Sequence, residues 1–208
     1  MDKVEGSIIR IGVTMRVDVC LEGKEKRDSI DQRLLLWVRS LGGIPFLVPN
    51  NIRSVSEANE WLKHLNIHAL LLSGGNDLGD APDRDNTELC LLEAARELEI
   101  AVLGICRGMQ LMASFFGVGV KELRNHVGTR HQIYGDLETE VNSFHRFCIE
   151  ACPPGFSVLA SDEKGAIEAI RHNTLPWEAW MWHPERESLF RQVELDRFCA
   201  LISHSPHL

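Results

Sequence analysis

Two stretches carry residue types that can do covalent chemistry. Gly104-Ile105-Cys106-Arg107-Gly108-Met109-Gln110 sets a thiol between two glycines, and Trp182-His183-Pro184-Glu185 sets an imidazole two residues before a carboxylate. Ala101 to Ile105 is an apolar run with the length of a buried strand. Leu111, Met112, Phe115 and Phe116 are spaced for a helix face. Strand, Gly-x-Cys-x-Gly, helix is a nucleophile elbow with Cys in place of Ser. Side chains at the flanking positions would collide in so sharp a turn. A thiol projected there meets a helix N-terminus, whose dipole and free N–H groups favour the reactive thiolate. A Cys between apolar residues also fits a small core residue, so the elbow reading depends on partners.

A nucleophilic thiol needs a base, and the base needs an orienting group. In an extended segment, period two puts His183 and Glu185 on one face. The carboxylate can then fix the imidazole tautomer and support its cation. Acyl transfer also needs an oxyanion hole. Gly74-Gly75 follows the short apolar run Ala69 to Leu72, so the N–H of Gly75 can serve together with the N–H of Arg107.

The elements that must position these groups alternate. Strand-like runs at Ile8 to Val13, Ile44 to Val48, Ala69 to Leu72 and Ala101 to Ile105 are separated by helix-like segments. Asp28, Ser54 or Ser56, and Asp85 or Asn86 are the candidate caps. This β-α repetition predicts an α/β fold with a mainly parallel sheet and helices on both faces, whose sites lie beyond the carboxyl ends of the strands. Thr14 to Lys26 reads as a polar loop at that edge. After Gly117 the pattern shifts to short strand-like runs at Leu137 to Val141, Phe147 to Glu150, Val158 to Ala160, Ala166 to Ile170 and Trp177 to Trp182. They predict an antiparallel C-terminal extension, closed by a helix from Gln192 to Ser203. The Trp177, Trp180 and Trp182 group reads as core packing.

The 208 residues suffice for one domain, 1–208, with a full core. A net charge of −8 argues against a generic nucleic-acid partner, and no apolar run is long enough to span a membrane. The first residues lack the basic-then-apolar order of a secretion signal. The six scattered cysteines then read as reduced thiols of a cytoplasmic protein. No His/Cys set has zinc-ligand spacing, so neither metal nor cofactor is expected. A homodimer is left open.

The elbow, Ser73-Gly74-Gly75-Asn76-Asp77, Val141-Asn142-Ser143-Phe144-His145 and Trp182-His183-Pro184-Glu185 together resemble the class I glutamine amidotransferases, over nearly the whole chain. The closer resemblance is to their γ-glutamyl hydrolase branch. It implies a three-layer flavodoxin-like sandwich, a triad of Cys106, His183 and Glu185, and a γ-glutamyl thioester. It also implies that Gln110 and the backbone around Asn142, Ser143 and Phe144 hold the glutamyl group, with His145 in the same pocket rather than in the triad. The γ-glutamyl-γ-aminobutyrate hydrolases of that branch usually carry Gly-Gly-Pro where this chain has Gly-Gly-Asn-Asp. Gly74 to Gly79, Asn125-His126-Val127, His131 and Trp182 to Glu187 resemble instead the short γ-glutamyl-CDP-amidate hydrolases. Those release glutamate and cytidine diphosphoramidate, the donor for capsule decoration.

Charge points the same way. Basic groups gather near the expected site of an acidic protein: Arg16, Lys24, Lys26, Arg27, Arg107, Arg124, His126, Arg130, His131, Arg146 and Arg186. Such a rim suits a small-molecule γ-glutamyl substrate with a phosphate-bearing tail, and Arg16, His126, Arg130 and His131 are its candidate contacts. The alternatives are a γ-glutamyl-γ-aminobutyrate-type hydrolase and a glutaminase subunit that delivers ammonia to a synthase partner.

Overall fold

The computed structural model describes residues 8–123 and 126–205. Arg124 and Asn125, named above, lie outside the described residues.

In chain order the strands and helices are β1 (Ile9–Thr14), β2 (Arg16–Cys20), β3 (Glu25–Ser29), α1 (Gln32–Ser40), β4 (Gly43–Val48), α2 (Val55–His64), β5 (Ala69–Leu72), α3 (Pro82–Glu97), β6 (Ala101–Ile105) and α4 (Arg107–Phe115). There follow β7 (Val120–Glu122), β8 (Val127–Gly135), β9 (Thr139–Phe144), β10 (Phe147–Ile149), β11 (Phe156–Asp162), β12 (Ile167–His172), β13 (Trp177–Trp180) and α5 (Gln192–Ser203). A nine-stranded sheet runs β4-β1-β5-β6-β13-β12-β11-β8-β9. Its first five strands are mutually parallel. From β13 outward every pairing is antiparallel. The α/β sandwich with an antiparallel extension is therefore the observed fold.

Parallel pairing decides where the site forms. All five parallel strands end at one edge, so the residues after β1, β5, β6 and β13 meet there. Leu70 to Leu72 and Val102 to Ile105 sit between two helical layers and read as unbroken apolar runs, as strands buried on both faces must. One core lies under α2, α3 and α4 around Leu72, Leu91 and Met109; the other lies under α1 and α5 around Trp37, Trp180 and Phe198. The tryptophans are core as expected. Trp180 stacks on Trp182 at 5.4 Å and meets Trp37 edge-on.

Three local expectations need correction. Thr14 to Lys26 is not a loop. Arg16 to Cys20 pairs with Glu25 to Ser29 as a hairpin, turned by left-handed Leu21, Glu22 and Gly23. Asp28 does not cap α1; its carboxylate holds Asn50 at 2.9 and 2.8 Å, and Asp31 is the cap. The α3 helix starts at Pro82, while Asp85 accepts from the Gly79 N–H. Ser54 caps α2 as expected, accepting from Glu57 N–H at 3.2 Å.

Helix α4 lies almost against the sheet because two positions lack a side chain. A Cβ on Gly104 would stand 2.8 Å from the Gly108 carbonyl carbon, and one on Gly108 only 2.3 Å from Leu72 O. Both obstacles are backbone and cannot swing aside. Gly108→Ala should therefore cost about 1–3 kcal/mol or more by overpacking, read as an earlier urea midpoint with unchanged slope.

Candidate active site

Cys106 follows β6 directly and is the N-cap of α4, with φ 53° and ψ −104°. Positive φ in a residue with a Cβ is costly, by about 1–3 kcal/mol, and is retained only where the surroundings enforce it. Here they do. The Cys106 N–H donates to Trp180 O at 2.8 Å, while its own carbonyl accepts from Met109 and Gln110 as the first turn of α4. Arg107, the first residue of that helix, has an N–H with no intrahelical acceptor.

Pairing of β13 with β6 aligns Trp180 with Ile105, so the chain leaving β13 brings His183 to the thiol. His183 Nδ1–H donates to Glu185 Oε1 at 2.6 Å, and both side chains are almost wholly buried. Burial alone would lower the His183 pKa. Cys106 and Glu185 beside it outweigh burial and raise the His183 pKa to about 9. Thiol, imidazole and carboxylate thus come together in an arrangement that can serve as a nucleophile, its base and that base's orienting group.

The loops around them are held by side chains whose supporting roles the sequence does not show. Arg33 Nε–H donates to Glu185 O at 2.8 Å, and its Nη2 reaches Glu187 O. Asn142 grips His183 on both sides. Its Oδ1 accepts from the His183 N–H at 3.0 Å, and its Nδ2 donates to His183 O at 2.8 Å and to Glu187 Oε1 at 2.8 Å. On the opposite wall Asn76 pairs with Val17 N–H and O like a strand neighbour, tying the β2–β3 hairpin to the Gly74-Gly75 loop. Arg84, fully buried, donates to Ser73 O at 2.6 Å and to Glu88 at 3.0 Å. Arg107 turns its guanidinium down to Glu88 and Asp85, away from any role on the rim. Burial would raise Glu88, but Arg107 and Arg84 hold its carboxyl below the usual range.

Gly74 gives His183 its room, since a Cβ there would stand 2.6 Å from His183 Cε1. Gly75, at φ 105°, lines the same cleft as Cys106, so its N–H can share an oxyanion with that of Arg107. The cleft has two lobes that share Arg16, Gly75, His183 and Arg186. One, of about 300 Å³, adds Cys106, Gln110, Phe144, His145 and Arg146. The other, of about 260 Å³, runs under the hairpin past Ser29 and Glu185.

The remaining expected contacts divide. Gln110 is buried at the cleft and donates its amide to Phe147 O at 3.1 Å. Phe144 lies edge-on to His183, with Arg186 over its ring at 4.5 Å. Asn142 is occupied with His183, and the Ser143 hydroxyl donates to His126 O inside the protein, so neither side chain faces the cleft. His145 is buried at the cleft wall beside Glu168. Of the four expected tail contacts, only Arg16 reaches the cleft. Arg130 is bound to Glu187 and Glu140, and His126 and His131 line a different cleft with Asp162 and Lys164. Arg130 and His131 lie on β8 and His126 just before it, and all three are held outside the thiol's cleft. Arg146 and Arg186, also named in the expected rim, do line that cleft.

Residues 25–195 match the model of the glutamine amidotransferase class-I family. The chain belongs to this family. A γ-glutamyl-CDP-amidate hydrolase of Campylobacter jejuni is 35% identical over 142 residues, covering 65% of this chain and 70% of that protein. A glutamine-hydrolyzing GMP synthase subunit of Pyrococcus abyssi is 31% identical over 165 residues, covering 74% and 82%. In three dimensions a GMP synthase-like protein of Thermoplasma acidophilum superposes with a TM-score of 0.72 over 96% of this chain and 94% of its own. At 23% identity that is a likeness of fold. The protein is an amide-hydrolysing enzyme of the glutamine amidotransferase type. Among the described residues no helix is long and apolar enough to cross a membrane.

Two expectations test this geometry. Gly74→Ala should displace His183 and cut kcat by about 100-fold or more while the chain still folds, as circular dichroism and single-turnover assays would read. The second concerns pH. Folded His183 keeps its proton to about pH 9, whereas an unfolded histidine loses it near 6.5. Its stabilising contribution is therefore complete below pH 6.5 and vanishes as pH rises through 9. Urea titrations at both ends of that window should show a loss of stability that His183→Asn lacks.

Proposed function

We propose that this enzyme hydrolyses a γ-glutamyl amide with a phosphate-bearing amine side, through a γ-glutamyl thioester on Cys106. The observation that carries the reading is the Cys106–His183–Glu185 row in a cleft lined by Arg16, Arg146 and Arg186.

In this reading the Cys106 thiolate attacks the γ-carbonyl carbon and the carbonyl electrons move onto oxygen. The N–H groups of Gly75 and Arg107 stabilise that oxyanion, a contribution of roughly 10²–10³ in rate per donor. The His183 imidazolium gives its proton to the departing nitrogen as the C–N bond breaks. Neutral His183 then takes a proton from water, whose oxygen attacks the thioester. The C–S bond breaks, glutamate leaves, and the thiolate–imidazolium pair returns. Glu185 holds the tautomer and the ring throughout and is not itself protonated. Gln110 and the chain around Phe144 and His145 form the glutamyl side of the cleft.

Arg16, Arg146 and Arg186 line the cleft paired with Asp18, Asp77 and Glu185, and an anionic amine side would take those guanidiniums in place of the carboxylates. The Campylobacter jejuni relative is named for γ-glutamyl-CDP-amidate, a substrate with a diphosphate tail. That compound is the best candidate here, giving glutamate and the cytidine diphosphoramidate that the family resemblance connects with capsule phosphoramidate synthesis. A second reading has its own support. Relatives named as glutamine-hydrolyzing GMP synthase subunits favour a glutaminase that passes ammonia to a synthase partner.

Glutamate release from free glutamine and from a panel of γ-glutamyl amides, γ-glutamyl-CDP-amidate included, separates the two. Preference for the phosphate-bearing amide is expected; preference for glutamine would establish the glutaminase reading instead. Arg16→Glu and Arg146→Glu should each raise KM for the phosphate-bearing amide about 10-fold or more, the scale of one lost charge-assisted contact, with a smaller change for glutamine. Equal KM values would remove the anionic-tail claim.

A further inference from the structure

Behind the cleft wall three imidazoles converge on one carboxylate. His131 comes from β8, Glu168 from β12, His126 from the chain entering β8, and His145 from the turn between β9 and β10. His131 Nε2 and His145 Nε2 each stand 3.5 Å from Glu168 Oε1. Ring centres of His126 lie 4.9 Å from His131 and 5.1 Å from His145. Donor atoms of His126, His131 and Glu168 all lie within 4.8 Å of one another. The side chains of His145 and Glu168 are fully buried, and that of His126 is more than nine-tenths buried.

Hydrogen bonding does not explain the cluster. His126 Nδ1, both ring nitrogens of His131, His145 Nε2 and both carboxylate oxygens of Glu168 are buried without a hydrogen-bond partner. Native interiors leave few such atoms, and here six are gathered in one cluster. At His145 the tautomer makes this sharper. Its Nδ1 stands 3.1 Å from Phe147 O, a carbonyl that can only accept. The neutral ring then donates there, and its Nε2 lone pair is aimed at the Glu168 oxygen. Two lone pairs facing each other at that range need a positive centre between them, which a proton supplies at one pair and a metal ion can supply for the whole cluster.

We propose that His126, His131 and Glu168 bind one divalent transition metal ion of the zinc class, with His145 packed against the Glu168 carboxylate. Two donors on a tetrahedral zinc, each about 2.0–2.1 Å from the ion, stand roughly 3.3–3.4 Å apart. The His131–Glu168 pair stands at 3.5 Å, and the donor atoms of His126, His131 and Glu168 are within 4.8 Å of one another, so small side-chain rotations close the set. Imidazole nitrogens with one carboxylate suit zinc rather than magnesium or calcium, which prefer all-oxygen sets. The supporting shell is present as well. Phe147 O orients His145, and Asp162 Oδ2 stands 3.5 Å from His126 Nε2, the carboxylate–histidine–metal arrangement. His126 and His131 also line an open cleft, which gives the ion a route in.

The three ligands lie behind the cleft wall, beside a cleft separate from the one that holds Cys106, so the ion is structural. It ties β8 to β12 beside the turn that carries Phe144, His145 and Arg146, the far wall of the substrate cleft. The ligands come from three separated places, 126, 131 and 168. No local spacing signals them, which is why the sequence suggested no metal.

Chelator-stripped full-length protein should be titrated with zinc, and in parallel with cobalt(II). Bound metal is read by elemental mass spectrometry, coordination by the visible cobalt spectrum, and stability by thermal unfolding. The proposal expects about one equivalent bound, an intense tetrahedral cobalt band, and a higher Tm with zinc. Glu168→Gln and His131→Asn should each weaken binding at least about 10-fold and remove the Tm gain, while Cys106→Ser keeps both. Should Glu168→Gln fail to fold, His131→Asn, on a partly exposed side chain, decides alone. No metal uptake by the wild type would overturn the site. So would uptake unchanged in His131→Asn, or uptake lost in Cys106→Ser.

Discussion

The structure depends on how closely helix α4 approaches the sheet. Gly108 packs where a Cβ would stand 2.3 Å from Leu72 O, and Gly104 where one would touch Gly108. That approach leaves Cys106 no ordinary conformation, and it accepts φ 53° and ψ −104°. Strain at one residue places the thiol above the strand ends and at a helix N-terminus together. The cost is spread over a core whose Leu70, Leu72, Leu103 and Met109 are fully buried. Local strain of this kind persists because the surroundings over-determine it.

Parallel pairing does the rest of the assembly. His183 lies far from Cys106 in sequence but one strand away in space, because β13 joins the sheet beside β6. Two positioning devices then fix the imidazole. Asn142 clamps the His183 backbone from β9, and Arg33 from α1 holds the carbonyl of Glu185. The antiparallel half of the sheet therefore supplies the back of the site. The proposed metal cluster sits in that same half, between β8, β12 and the β9–β10 turn.

The parallel half of the fold was legible because its strands are short, apolar and bounded by glycine and capping residues. Ala69–Leu72 and Ala101–Ile105 were found to the residue. The β2–β3 hairpin was not, since its strands Arg-Val-Asp-Val-Cys and Glu-Lys-Arg-Asp-Ser are mostly polar and only Val17 is buried. β8 was missed for the same reason; of its nine residues Ile133 alone is buried. That omission misplaced His126, Arg130 and His131, because a basic loop near the site and a strand facing away from it have the same composition. Cys106, His183, Glu185 and Gly75 were legible because each sits in a short motif with a mechanical reason. The clamping roles of Asn142 and Arg33 were not. Their work is done on backbone atoms of distant loops, and no sequence spacing records it.

At the centre of this account is a covalent glutamyl group on one sulfur. Rapid acid quenching of the enzyme during turnover of a γ-glutamyl amide, followed by intact-mass and peptide spectrometry, tests it directly. The account predicts a mass increase of one glutamyl group, mapped to Cys106, which disappears on mild alkaline hydrolysis and is absent in Cys106→Ser. An adduct on another residue, or undiminished glutamate release by Cys106→Ser, would contradict it.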